Sequence, residues 1–133
     1  MQAKILMTSS ALLMGIAGLS LLLFPQELLS FFGSESTTLI ARFMQILGAL
    51  YLALATINWI AKANLIGGIY GRAITAGNFT HFFLVTLLFL KGLRLTPFPV
   101  GHLAAMSIYV LYTVFFGRIL FSTPWQKKDD NKF

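Results

Sequence analysis

Asn78 and His81 stand three residues apart in Gly77-Asn78-Phe79-Thr80-His81-Phe82. That spacing puts both on one face of a helix. A neutral imidazole there has two kinds of use. It can relay protons, bind a ligand or hold a metal. It can also make hydrogen bonds that lock helices together. Gln45, Asn58, His102 and Tyr109 are the other polar candidates, and His102, Tyr109 and Thr113 form a stripe at i, i+7, i+11.

Little else in the chain could carry chemistry. There is no cysteine, which excludes disulfides, thiol catalysis, iron–sulfur clusters and cysteine zinc sites. The 2 histidines and 4 carboxylates give no material for a di-metal or paired-carboxylate centre, since Glu27, Glu35, Asp129 and Asp130 all lie outside the apolar stretches. Ser10, Ser20 and Ser107 have no Ser–His–acid set within reach. Haem between His81 and His102 within one chain is disfavoured, because helical rise separates them in depth by roughly 10 Å. Gly67-Gly68-Ile69-Tyr70-Gly71-Arg72 lacks the Lys-Ser/Thr end of a phosphate loop and follows no strand. It reads instead as a turn at lipid headgroups, with Gly67 and Gly68 in the bend and Arg72 as its charge. The expectation is no catalytic residue, no metal and no cofactor.

The elements that position these groups follow from composition. Of 133 residues, 57% are hydrophobic and only 11% charged, against about 25% charged in an ordinary soluble domain. Such a chain cannot coat a water-soluble surface, nor is it disordered. Crossing a bilayer takes about 20 mostly apolar residues. Four stretches qualify: about 5–24, 39–60, 73–90 and 100–121. The first is longer than the roughly 7–15 apolar residues of a signal peptide and has no small-residue cleavage site after it, so it is read as a retained span. Pro25 stops it. Ser36 or Thr37 caps the second. Gln26–Phe32 reads as a short interfacial helix ended by Gly33. The Ala61–Arg72 and Lys91–Pro99 segments read as short loops, and 126–133 as a polar tail. The predicted fold is all-α: one four-transmembrane-helix bundle over 1–125 with a short interfacial helix in its first loop.

An even number of spans puts both termini on one side. Of the 10 basic residues, Lys4, Lys62, Arg72, Arg118, Lys127, Lys128 and Lys132 fall on that side, and Arg42, Lys91 and Arg94 on the other. This bias predicts cytoplasmic termini. Trp59, Tyr70 and Trp125 then form an aromatic belt at the cytoplasmic interface. The net charge of +6 is spread over loops and tail with no basic helix face, so it predicts attraction to anionic lipid and no nucleic-acid binding.

Lipid is as apolar as leucine, so helix seams should be marked by small and polar residues. Those residues are Ala11, Gly15 and Gly18 on the first span; Gln45, Gly48, Ala49, Leu52 and Ala55 on the second; Gly71, Ile74, Gly77, Asn78 and His81 along the third; Gly101 and Ala105 on the fourth. His81, the most deeply placed ionisable group, is expected to be neutral at pH 7. Its hydrogen bond is expected at a backbone carbonyl, at a side chain such as Gln45, or at a tyrosine.

The segments Leu47-Gly48-Ala49-Leu50-Tyr51, Asn58-Trp59-Ile60-Ala61-Lys62, Asn64–Arg72 and Gly77–Phe82 resemble a family of small bacterial four-helix membrane proteins. The broader shape is similar to DoxX-like proteins. The resemblance covers about residues 40–90 and implies the four spans, without an activity. Two other four-helix families differ: small multidrug exporters carry a glutamate in their first span, where 5–24 has none, and fluoride channels insert in both orientations, which the charge bias opposes. Taken together the residues predict a non-enzymatic bacterial inner-membrane protein. Its expected partners are the bilayer itself and a membrane-protein partner or a second copy, in a partner-binding, lipid-binding or accessory role. The alternative is a small transporter or channel with a polar path around Gln45, Asn78 and His81.

Overall fold

The computed structural model describes residues 2–31, 37–62, 69–92 and 100–122. Among them it is all-helical: α1 (Gln2–Leu23), α2 (Pro25–Phe31), α3 (Thr38–Ala61), α4 (Ile69–Gly92) and α5 (Val100–Ser122). Four helices are long and apolar enough to cross a membrane, over Ala3–Leu23, Thr38–Ala61, Tyr70–Gly92 and Gly101–Ser122. At 1.5 Å per residue, spans of 21 to 24 residues reach roughly 32–36 Å, enough for a hydrocarbon core of about 30 Å.

Local signals set the helix ends. Phe24 is the joint between α1 and α2: its N–H still donates to Ser20 O at 2.9 Å, and its carbonyl accepts from Leu28 at 3.1 Å. Pro25 then opens α2, a position where its missing N–H costs nothing. Thr37 caps α3 from an extended backbone, its Oγ1 accepting from the Ile40 N–H at 3.3 Å. α4 starts earlier than the sequence suggested. Ile69, Tyr70, Gly71 and Arg72 are already helical, so the loop predicted to run to Arg72 ends before Ile69. The glycine there did not break the helix, because an isolated glycine in a helix costs only about 1 kcal/mol. Gly33, Ser36, Gly67, Gly68 and the 93–99 turn lie outside the described residues, as does the tail.

The chain divides into two compact units, Met1–Leu65 and Ile66–Phe133. In the first, α1 and α3 run antiparallel. The pairs Ser10–Asn58, Gly15–Ala55, Gly18–Gly48 and Leu22–Gln45 descend one helix as they climb the other. α2 tucks Pro25 and Leu29 inward and leaves Gln26, Glu27 and Phe31 exposed. In the second unit α4 and α5 are also antiparallel, through Phe79–Gly117, Phe82–Phe116, Thr86–Thr113 and Phe89–Tyr109.

The two seams use different materials. On α1–α3 the backbones touch: a Cβ on Gly48 would sit 2.8 Å from Gly18 O and 2.9 Å from Leu22 N. Small residues permit this approach, which replaces the hydrophobic drive that lipid removes. On α4–α5 the seam is a stack of rings. Phe82 lies parallel to Tyr112 at 4.7 Å and to Phe116 at 5.6 Å. Three expected seam positions lie off these two seams: Gly77 and Gly101 have nothing within 4 Å of an added Cβ, and Ala49 is exposed. Aromatic volume holds α4 and α5 together where small residues were expected.

Candidate functional site

Each span must satisfy its polar side chains without water, and most do so on their own helix. Thr8 donates to Lys4 O, Ser20 to Ile16 O, Thr56 to Leu52 O, Thr75 to Gly71 O and Ser107 to Leu103 O, all at 2.8–2.9 Å. A serine whose one proton rests on a backbone carbonyl is not poised for nucleophilic attack. The described residues contain no group of three or more His, Cys, Asp or Glu that could hold a metal.

In the first unit the polar candidates bridge helices. Asn58 is fully buried, and its Nδ2 donates to Ser10 Oγ at 3.1 Å. Ser10 in turn donates to Met7 O at 3.0 Å. Ser10 has one proton, spends it on Met7, and receives Asn58 with a lone pair. The sulfur of Met14 lies 3.9 Å from the same Nδ2. Sequence reasoning marked Asn58 but missed Ser10, whose signal was its place one turn from Met14 on the Ala11 face. Gln45 reaches α1 through Nε2, which donates to Leu22 O at 3.4 Å. That is a backbone-carbonyl partner within its own unit.

The end of this unit opposite α2 carries charge. Lys62 follows α3, and its N–H donates to Asn58 O at 3.1 Å. Its Nζ stands 2.7 Å from the centroid of the Trp59 ring. Desolvation against these neighbours, and secondly the positive charge of Lys4, hold the Lys62 amine below its ordinary range. This arrangement was not anticipated: the two lysines are 58 positions apart in sequence, and only the antiparallel register brings them to one end.

In the second unit Asn78 is 1% exposed, and its Nδ2 donates to Ile74 O at 2.9 Å. Thr75, Phe82 and Thr86 continue the buried face. Thr113 donates to Tyr109 O at 2.8 Å and lies 3.2 Å from the Thr86 hydroxyl. Its proton being spent, Thr86 is the donor of that bridge. His81 is half-buried, with its ring 5.4 Å from Phe82 and 6.1 Å from Tyr109. Tyr109 also meets Phe82 at 5.4 Å and Phe89 at 5.5 Å. His102 sits edge-on to Phe89 at 4.8 Å. Thus Asn78, His81, His102 and Tyr109 share one helix pair, whereas Gln45 and Asn58 belong to the other. Arg72 is exposed near the start of α4, beside Tyr70 at 85% exposure.

Outside these seams the helices present apolar side chains: Ile5, Ile16 and Leu23 on α1; Leu39, Phe43, Ile46 and Ile60 on α3; Leu84 and Leu88 on α4; Leu111, Val114 and Phe121 on α5 are all exposed. Set against models of protein families, curated proteins and solved structures, the chain has no match in any of the three.

Proposed function

We propose that this chain is a small non-enzymatic protein of the bacterial inner membrane, akin to the DoxX-like proteins it resembles, and that it acts by binding lipid or a membrane partner. One observation carries the reading. Gln45, Asn58, Asn78, Thr86 and Thr113 make hydrogen bonds within their own helix pair, while the outward faces offer leucine, isoleucine and phenylalanine. Asn58 and Ser10 act as a clamp between α1 and α3. Asn78 back-bonds along α4, and the histidines pack among rings. Such groups fix geometry, and the remaining surface suits acyl chains or another apolar helix. The excess of Lys and Arg near the termini favours a cytoplasmic placement of both.

The test is purification in mild detergent followed by mass spectrometry of co-purified proteins and lipids, beside a flux assay in proteoliposomes with a pH-sensitive dye and with common ions. The expected result is a stoichiometric lipid or protein companion and no flux above empty vesicles. A flux lost in both His81→Leu and Asn78→Leu, with folding intact, would establish the polar path instead.

A further inference from the structure

The end of the first unit where α1 begins and α3 finishes holds a cluster that the helix seam does not use. The Ser10–Asn58 hydrogen bond fixes the register. From it, Lys4 lies roughly 9 Å and Lys62 roughly 6 Å toward the same end, at 1.5 Å per residue. The two cations therefore stand at nearly one level. The only carboxylate among the described residues of this unit is Glu27, on α2 at the opposite end. The ring of Trp59 takes one side of the Lys62 ammonium, leaving a cation with three donors directed partly away from it. Trp59 is 49% exposed, and Ile5 and Ile60 beside this end are 63% and 64% exposed.

We propose that Lys4, Lys62 and Trp59 form a binding site for the phosphate of an anionic phospholipid at the membrane interface. Two like charges at nearly one level, with no carboxylate at this end among the described residues of the unit, repel each other, and an anion between them relieves the repulsion. Desolvation first, and the charge of Lys4 second, hold the Lys62 amine below its ordinary range. A phosphate diester bridges two ammonium groups by charge-assisted hydrogen bonds. The apolar surround chooses the carrier. Free phosphate gains nothing from exposed Ile5, Ile60 and the tryptophan face, whereas glycerol and acyl chains cover them. Tryptophan also belongs at headgroup depth. The site gives the lipid-binding reading above a location and a headgroup chemistry, and it rests on that reading's placement of the chain in a bilayer.

Native mass spectrometry of the full chain released from detergent is the test, with phosphatidylglycerol and phosphatidylcholine offered in equal amounts. Wild type should retain phosphatidylglycerol preferentially. Lys4→Gln and Lys62→Gln should each weaken retention about fivefold, the factor that corresponds to about 1 kcal/mol per cation near an anionic surface. Lys62→Arg, which keeps the charge, and Lys91→Gln, at an exposed position near the end of α4, should behave as wild type. Retention unchanged in both lysine variants overturns the site, as does an equal loss in Lys91→Gln. Displacement of the lipid by excess inorganic phosphate, dependent on the same two lysines, overturns the assignment to lipid. Carbonate extraction of membranes reads insertion separately: a chain that washes off fails the membrane reading, while one that stays but shows no headgroup preference fails only this site.

Discussion

Replacing Gly48 by alanine tests the tightest glycine site among the described residues. The new methyl carbon would lie 2.8 Å from Gly18 O, 2.9 Å from Leu22 N and 3.1 Å from Leu21 Cβ. Two of these neighbours are backbone atoms inside a helix, so neither can swing aside. Ordinary contact begins near 3.4 Å. The helices must therefore part locally by about half an ångström, a gap at which each pair of packed atoms forfeits about a quarter or more of its attraction. Spread over the α1–α3 seam, that strain should cost about 1–3 kcal/mol, the usual penalty for overpacking. Lipid cannot repair the gap, since its chains are too wide to enter. Gly77→Ala is the control. With nothing within 4 Å of its Cβ, it should be neutral or gain about 0.5–1 kcal/mol from reduced backbone freedom. Gly18→Ala should resemble Gly48→Ala, and the double variant should cost less than the two together, because one opening serves both methyls. The assay is reversible unfolding of the full chain by SDS titration in mixed micelles. Gly48→Ala unfolding with wild type, or Gly77→Ala losing as much, would refute the argument.

Ser10→Ala and Asn58→Leu should each lower stability by about 0.6 kcal/mol, up to about 1.7, the range for hydrogen bonds between membrane helices; a double-mutant cycle in the same titration should show positive coupling, and strict additivity would deny the bridge. Phe82→Ala should cost toward the lower end of about 3–5 kcal/mol, because the ring is fully buried against Tyr112 and Phe116 while lipid supplies no hydrophobic penalty; a loss below that of Gly48→Ala would count against the ring stack. The acylation rate of Lys62, followed by peptide mass spectrometry against pH, should turn over below 10.5, and Lys4→Gln should move the turnover upward. The unfolded chain then holds that proton to higher pH, so folded stability rises with pH from the lowered value up to 10.5; a turnover at or above 10.5 contradicts the shift.

The spans, the short α2, the Thr37 cap and the Ala11–Gly15–Gly18 and Gly48–Ala55 faces were legible in the sequence, because length, apolarity and residue size determine them locally. The α4–α5 seam was not. Phenylalanine suits lipid and protein alike, so Phe79, Phe82, Phe89 and Phe116 carried no sign of which faced a partner helix, while Gly77 and Gly101, marked as seam residues, lie off the α4–α5 seam. The start of α4 was misplaced because Gly71 and Arg72 looked like loop residues. In the candidate site, Asn58, Asn78 and His81 were visible by polarity alone. Ser10 and the Lys4–Lys62 pairing were hidden, since both depend on the register between α1 and α3, which side-chain type does not encode.

The chain contains no cysteine, so single cysteines report water access without background. Variants Gln45→Cys, Asn78→Cys and His81→Cys place a thiol within the spans, and Glu27→Cys and Lys91→Cys place one at helix ends. Labelling by a charged maleimide in intact membrane vesicles, opened to expose both faces, is the most direct measurement of whether the polar groups are structural. Labelling should be rapid at 27 and 91 and absent at 45, 78 and 81 until detergent and denaturant are added. Labelling of the Asn78→Cys and His81→Cys variants at the rate of the helix ends would show water at mid-span and contradict it.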